Sequence, residues 1–146
     1  IRELLYTKPE RTGTSLKTAL DYLLKVAKRK SVVFVISDFL DDGYWASLKV
    51  VNRKHDLIGI QLYDPAEMEL PDMGLAKVED PETGAAFWID TSSLDARNRL
   101  EKELESQYSK FKKDARKIGF DLIPIATNQD FVDPLMSFFR MREKRY

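Results

Sequence analysis

Cysteine is absent from the chain, and that removes a disulfide scaffold, a thiolate zinc site and a cysteine nucleophile together. The same absence agrees with a reducing compartment, and the cytoplasm is the expected location. No apolar run approaches the roughly 20 residues that a membrane-spanning helix needs, and no signal peptide is visible, so no membrane segment is expected in this chain. An excess of charge of either sign is also missing: 24 Lys and Arg balance 24 Asp and Glu. Nucleic-acid binders usually carry a basic footprint, so nucleic acid is not an expected partner. Histidine occurs once, as His55. There is no Gly-x-x-x-x-Gly-Lys loop, Gly-x-Gly-x-x-Gly, Gly-x-Ser-x-Gly or His-Glu-x-x-His. Internal repeats, linkers and low-complexity tracts are lacking too.

What is present is one domain's worth of alternating helix and strand signals over 146 residues. Residues 1–6 read as the end of a helix stopped by Lys8-Pro9. Leu16, Ala19, Leu20, Leu23, Leu24 and Ala27 recur at helical spacing, with Ser15 or Thr14 as a candidate N-cap. A strand over about 32–37 follows, then a short helix over 44–54 with Trp45, Leu48 and Val51 inward. Asp56 to Tyr63 is a second strand, where Gly59 predicts close packing of a helix, and 64–72 is an acidic, proline-bearing loop. Two short strands, 75–79 and 85–90, flank Asp80-Pro81-Glu82-Thr83-Gly84 as a hairpin. A long helix over 94–118 is capped by Ser92 or Ser93 and ended by Gly119, with Leu94, Leu100, Leu104, Tyr108, Phe111, Ala115 and Ile118 inward. Asp121 to Ala126 is a third strand, placed at an edge because Pro124 lacks a ladder donor. A closing helix runs over about 131–142. The order is that of an α/β protein: parallel core strands flanked by helices, plus a peripheral β-hairpin.

The stretch with most chemical content is Ser-Val-Val-Phe-Val-Ile-Ser-Asp-Phe-Leu-Asp-Asp-Gly at 31–43. An unbroken apolar run predicts a strand buried on both faces. Open parallel sheets bind ligands beyond the carboxyl ends of their strands, which is where Asp38 falls. A carboxylate there suits a hard cation such as Mg2+. Thr14, before the first full helix, offers a hydroxyl. Either Thr14 and Asp38 serve one divalent cation, or Thr14 caps a helix and Asp38 opens a turn. His55 reads as a turn histidine with its hydrogen bonds satisfied. Asp41, Asp42, Glu67, Glu69 and Asp72 read as solvated loop acids, and Arg140, Arg142, Lys144 and Arg145 as a solvated basic helix end.

Several ordered stretches carry a resemblance: Arg-Thr-Gly-Thr-Ser-Leu-Lys-Thr-Ala-Leu at 11–20, Val-Phe-Val-Ile-Ser-Asp-Phe at 33–39, Arg-Lys-His-Asp-Leu-Ile at 53–58, Asp-Pro-Ala-Glu-Met-Glu-Leu-Pro at 64–71, Trp-Ile-Asp-Thr-Ser at 88–92 and Ala-Thr-Asn-Gln-Asp-Phe at 126–131. Residues 11–43 resemble the second half of a von Willebrand factor A domain. The whole chain resembles the C-terminal half of the bacterial family called domain of unknown function 58, which carries such a domain. The fold expected is a partial Rossmann-like, von Willebrand factor A-like sheet. Residues 1–146 are then expected to be one domain, the C-terminal part of a larger one whose first strands lie upstream.

The resemblance implies a metal-ion-dependent adhesion site, built from Asp-x-Ser-x-Ser, a later Thr and a later Asp. Thr14 and Asp38 match the last two; the Asp-x-Ser-x-Ser motif is absent from this chain. Residues 37–42 also depart from the Thr-Asp-Gly of typical adhesion domains. The expected function is a non-enzymatic protein-binding module with an incomplete site, holding Mg2+ only with its upstream ligands. The resemblance further implies work with a MoxR-type AAA+ ATPase in protein assembly or maturation. The alternative is a metal-dependent hydrolase or phosphotransferase using Asp38 and Asp41. Self-association of this stretch is expected if its upstream neighbours are missing.

Overall fold

The computed structural model describes residues 13–68, 72–79 and 86–144. The expected helix end at 1–6, the turn at 80–84, Glu69 and Arg145 lie outside the described residues. In chain order come α1 (Leu16–Val26), β1 (Val32–Ser37), α2 (Trp45–Lys54), β2 (Asp56–Tyr63), the single turn α3 (Pro65–Met68), β3 (Leu75–Glu79), β4 (Ala86–Asp90), α4 (Leu94–Lys117), β5 (Asp121–Ala126) and α5 (Val132–Glu143). α3 occupies part of the stretch expected to be only loop.

Strands β1, β2 and β5 form a parallel sheet in the order β1-β2-β5, while β3 and β4 pair antiparallel as a separate hairpin. Parallel neighbours need crossovers, and α2 supplies one while the hairpin and α4 supply the other. Pro124 sits on an edge strand as its missing N–H demands.

One sheet face carries the main core. Leu16 and Leu20 of α1, Leu48 and Val51 of α2, Leu57 of β2 and Ala115 of α4 close over it with Phe39, Tyr44 and Phe120. Gly59 lies on this face, where a Cβ would meet the Phe120 ring and approach Leu122 Cδ2 to 2.8 Å. The close approach is therefore to the side chains of Phe120 and Leu122 rather than to a helix backbone. Side-chain amines and amides tie the helix ends down: Asn52 Nδ2 donates to the carbonyls of Ile118 and Gly119 at 2.9 and 3.1 Å, and Lys54 Nζ to that of Ala27 at 2.9 Å. These carbonyls have no partner within their helices, so each bond satisfies a group that would otherwise rely on water. Gly119 terminates α4 in the left-handed region, φ 65°. At the start of α4, Leu94 is exposed instead of inward.

The other face is covered only in part. α5 seats Phe138 against Ile58, Ile123 and Ile125. Arg142 donates to Asp56 Oδ1 at 2.6 Å and lies 3.8 Å from Asp121 Oδ2, clamping the helix end to the starts of β2 and β5. It is thus an ion-paired residue and not part of a solvated basic end. β1 departs most from expectation. Val33 and Val35 pack on the main core, but Val32, Phe34 and Ile36 are 59, 47 and 62% exposed. A strand apolar at all but its last position shows one bare face because β1 is an edge strand of the sheet; from α5 the Phe139 ring meets Phe34 edge-on at 6.4 Å and still leaves it exposed.

Candidate functional site

Beyond the carboxyl end of β1 the chain makes a tight loop, residues 38–44. Its conformation is fixed by Phe39, the one non-glycine residue at positive φ (62°) among the described residues. A side chain in that region costs about 1–3 kcal/mol. Burial offsets it: the ring is 6% exposed and lies 5.1 Å from Phe111, 6.0 Å from Phe120 and 6.2 Å from Tyr44, centroid to centroid. Burying a phenylalanine contributes about 1.5–3 kcal/mol, and each aromatic pair adds about 0.5–1.5 kcal/mol, so packing holds the strained turn. Tyr44 Oη donates to the Phe39 carbonyl at 3.2 Å. Burial above all, then the carboxylates of Asp41, Asp42 and Asp38, push the Tyr44 phenol well above its usual range, so it stays a donor.

The turn dictates what each carboxylate can do. Asp38 Oδ1 accepts from the Leu40 N–H at 3.1 Å and from Ser37 Oγ at 3.3 Å, leaving Oδ2 with no hydrogen-bond partner among the described residues. Both Asp41 oxygens are engaged: Oδ2 accepts from the Leu16 N–H at 2.7 Å and Oδ1 from the Asp42 N–H at 2.7 Å. The first of these bonds joins the loop to the N-terminus of α1, where a carboxylate also meets the positive end of the helix dipole. Asp41 is therefore a second cap of α1 and not only a solvated acid. Nothing local in the sequence signals this, since the two residues are 25 positions apart.

At the start of α1 the cap is Ser15, whose Oγ accepts from the Thr18 N–H at 3.3 Å. Thr14 stands one residue earlier, exposed, with no hydrogen bond among the described residues. Asp41 thus brings the two expected ligands to the same end of the sheet. No hydrogen bond links Thr14 to Asp38, and among the described residues no three His, Cys, Asp or Glu side chains form a group able to hold a metal. Thr14 offers a hydroxyl and Asp38 a carboxylate oxygen, both hard donors of the kind that Mg2+ takes. By donor type alone, the two suit such an ion as part of a larger ligand set.

Behind the loop, a cleft of about 470 Å³ opens between residues 38–45, the carboxyl end of β2 and the middle of α4. Gln61 of β2 lines it and is 6% exposed. Sequence reasoning did not single out Gln61, which reads as an ordinary strand residue. His55 ends α2 and is buried, and neither ring nitrogen has a hydrogen-bond partner among the described residues. The expectation of a satisfied turn histidine fails there.

The chain belongs to the family described as protein of unknown function DUF58, whose model matches residues 1–110. It is 28% identical over 132 residues to an uncharacterized protein of Mycobacterium avium, covering 88% of this chain and 76% of that protein. Uncharacterized proteins of Mycobacterium bovis and Mycobacterium tuberculosis are 26% identical over 132 residues, again 88% of this chain. The chain spans 41% of the length of those two relatives. No solved structure matches it.

Proposed function

We propose that the chain is the C-terminal part of a von Willebrand factor A-like module that binds a protein partner without catalysing a reaction. The observation that carries this reading is the held loop at the end of β1, which keeps Asp38 Oδ2 without an internal partner while Asp41 joins the loop to the helix that follows Thr14. A bound divalent cation would supply an open coordination position for a carboxylate of the partner. Asp38 and Thr14 would hold it on this side, with further ligands from the rest of the parent protein. Asp41 orients the helix start, and the Phe39 turn keeps the Asp38 carboxylate facing out of the core.

The hydrolase or phosphotransferase alternative needs Asp41 as a working carboxylate, whereas both of its oxygens accept from backbone N–H groups. That engagement supports the binding reading. The resemblance to the family supplies the partner class, a MoxR-type AAA+ ATPase, and with it a role in assembling or maturing other proteins.

The test is capture of the cognate ATPase by the full-length protein, with magnesium and with chelator. Asp38→Ala is expected to weaken magnesium-dependent capture by about tenfold or more, the effect of losing one interaction with a charged group. Normal, magnesium-sensitive capture by Asp38→Ala would reduce Asp38 to a turn residue.

A further inference from the structure

We propose that the cleft behind the loop is a binding site for a cationic side chain, the guanidinium or ammonium group of an arginine or lysine on a protein partner. Three features of its lining converge on that chemistry. Its rim carries Asp38 and Asp42. Asp38 keeps one carboxylate oxygen without a partner, and the Asp42 side chain accepts no hydrogen bond among the described residues. Of the other two acids in the lining, Asp41 accepts from two backbone N–H groups and Asp114 is already paired with Lys117 at 2.7 Å; Lys110 also lines the cleft. The rim acids therefore set the sign at the mouth.

Its lining is aromatic: Trp45, one face of which is stacked on Tyr44, with Tyr63 and Tyr108, whose rings are 6.3 Å apart; Lys112 Nζ lies over one face of Tyr108 at 4.1 Å, a cation already held by this aromatic wall. Aromatic faces attract a cation through their negative quadrupole and cover the apolar stem of Arg or Lys. Its floor is the Gln61 amide, whose Oε1 is buried and has no hydrogen-bond donor among the described residues. A buried acceptor left without a donor is costly, and folded proteins leave few of them. An N–H group entering the cleft is the donor that this oxygen lacks. The volume, about 470 Å³, is that of a small-ligand site.

This site works without a metal ion, so its test is run in EDTA, where failure of the cation-bridge reading has no effect on it. The full-length protein, 15N-labelled, is titrated with acetyl-Gly-Arg-Gly-amide, acetyl-Gly-Glu-Gly-amide and acetyl-arginine-amide, following the Trp45 indole and the Gln61 side-chain amide. The arginine peptide is expected to move both signals and to bind at least about tenfold more tightly than the glutamate peptide. Gln61→Leu is expected to weaken the arginine peptide about tenfold, the fold-change of one hydrogen bond to a charged group, with the melting temperature unchanged or raised because an unpartnered polar atom is gone. Asp42→Asn, on the exposed rim, is expected to weaken it as well. Equal response to the arginine and glutamate peptides, no response, or binding that Gln61→Leu leaves intact would overturn the proposal. Binding of acetyl-arginine-amide with exclusion of the peptide would overturn the assignment to a protein partner in favour of a free small molecule.

Discussion

At the scale of single residues, Thr14 and Ser15 are adjacent hydroxyls with separate tasks. Ser15 adopts extended backbone, φ −141° and ψ 93°, and its Oγ closes the first turn of α1. Thr14 precedes it, exposed and uninvolved in the cap. Ser15→Ala is expected to lower stability by about 1 kcal/mol, the usual cost of a lost N-cap, with magnesium-dependent partner binding retained. Thr14→Ala is expected to do the reverse, leaving stability within about 0.5 kcal/mol and weakening that binding. Denaturant unfolding and partner affinity, measured on both variants, check the division; a larger stability loss in Thr14→Ala than in Ser15→Ala would contradict it. The sequence permits either residue as the cap, because the choice depends on backbone angles that two neighbouring hydroxyls do not encode. The same limit hid Phe39: a left-handed phenylalanine is readable only once Phe111 and Phe120, some 70–80 positions away, are known to surround it.

At the scale of elements, β1 has the most unfinished surroundings. Its Val33 and Val35 face a built core, while Val32, Phe34 and Ile36 face outward beside a helix that covers mainly β2 and β5. Exposed edge strands of apolar sequence are templates for association. The 146-residue chain alone is expected to self-associate through this face, and Phe34→Ser with Ile36→Ser to reduce that association with little loss of stability, since both side chains are already largely exposed. Sedimentation of the two forms checks this; a stable monomer of the unsubstituted chain would contradict it. The apolar run correctly announces a parallel-sheet strand. It cannot say whether both faces are covered within these residues, because coverage depends on elements other than the strand.

At the scale of the whole molecule, the α/β order, the parallel β1-β2-β5 sheet and the outlying hairpin follow from patterns present in the sequence: helical periodicity in α1 and α4, continuous apolar runs in the strands, and proline on an edge. What escapes such patterns is tertiary: Asp41 capping a helix 25 residues away, Arg142 clamping the starts of β2 and β5, and Gln61 at the floor of a cleft. The end of β1 and the start of α1 are proposed to hold together one side of a divalent-cation site. Its most direct test is a titration of the 15N-labelled full-length protein with Mn2+, whose unpaired electrons broaden nearby amide signals. Broadening is expected to centre on Thr14, Ser15, Asp38 and Leu40, to be displaced by excess Mg2+ and to be lost in Asp38→Ala. Broadening centred elsewhere, or a pattern at residues 14–40 that survives Asp38→Ala, would contradict it.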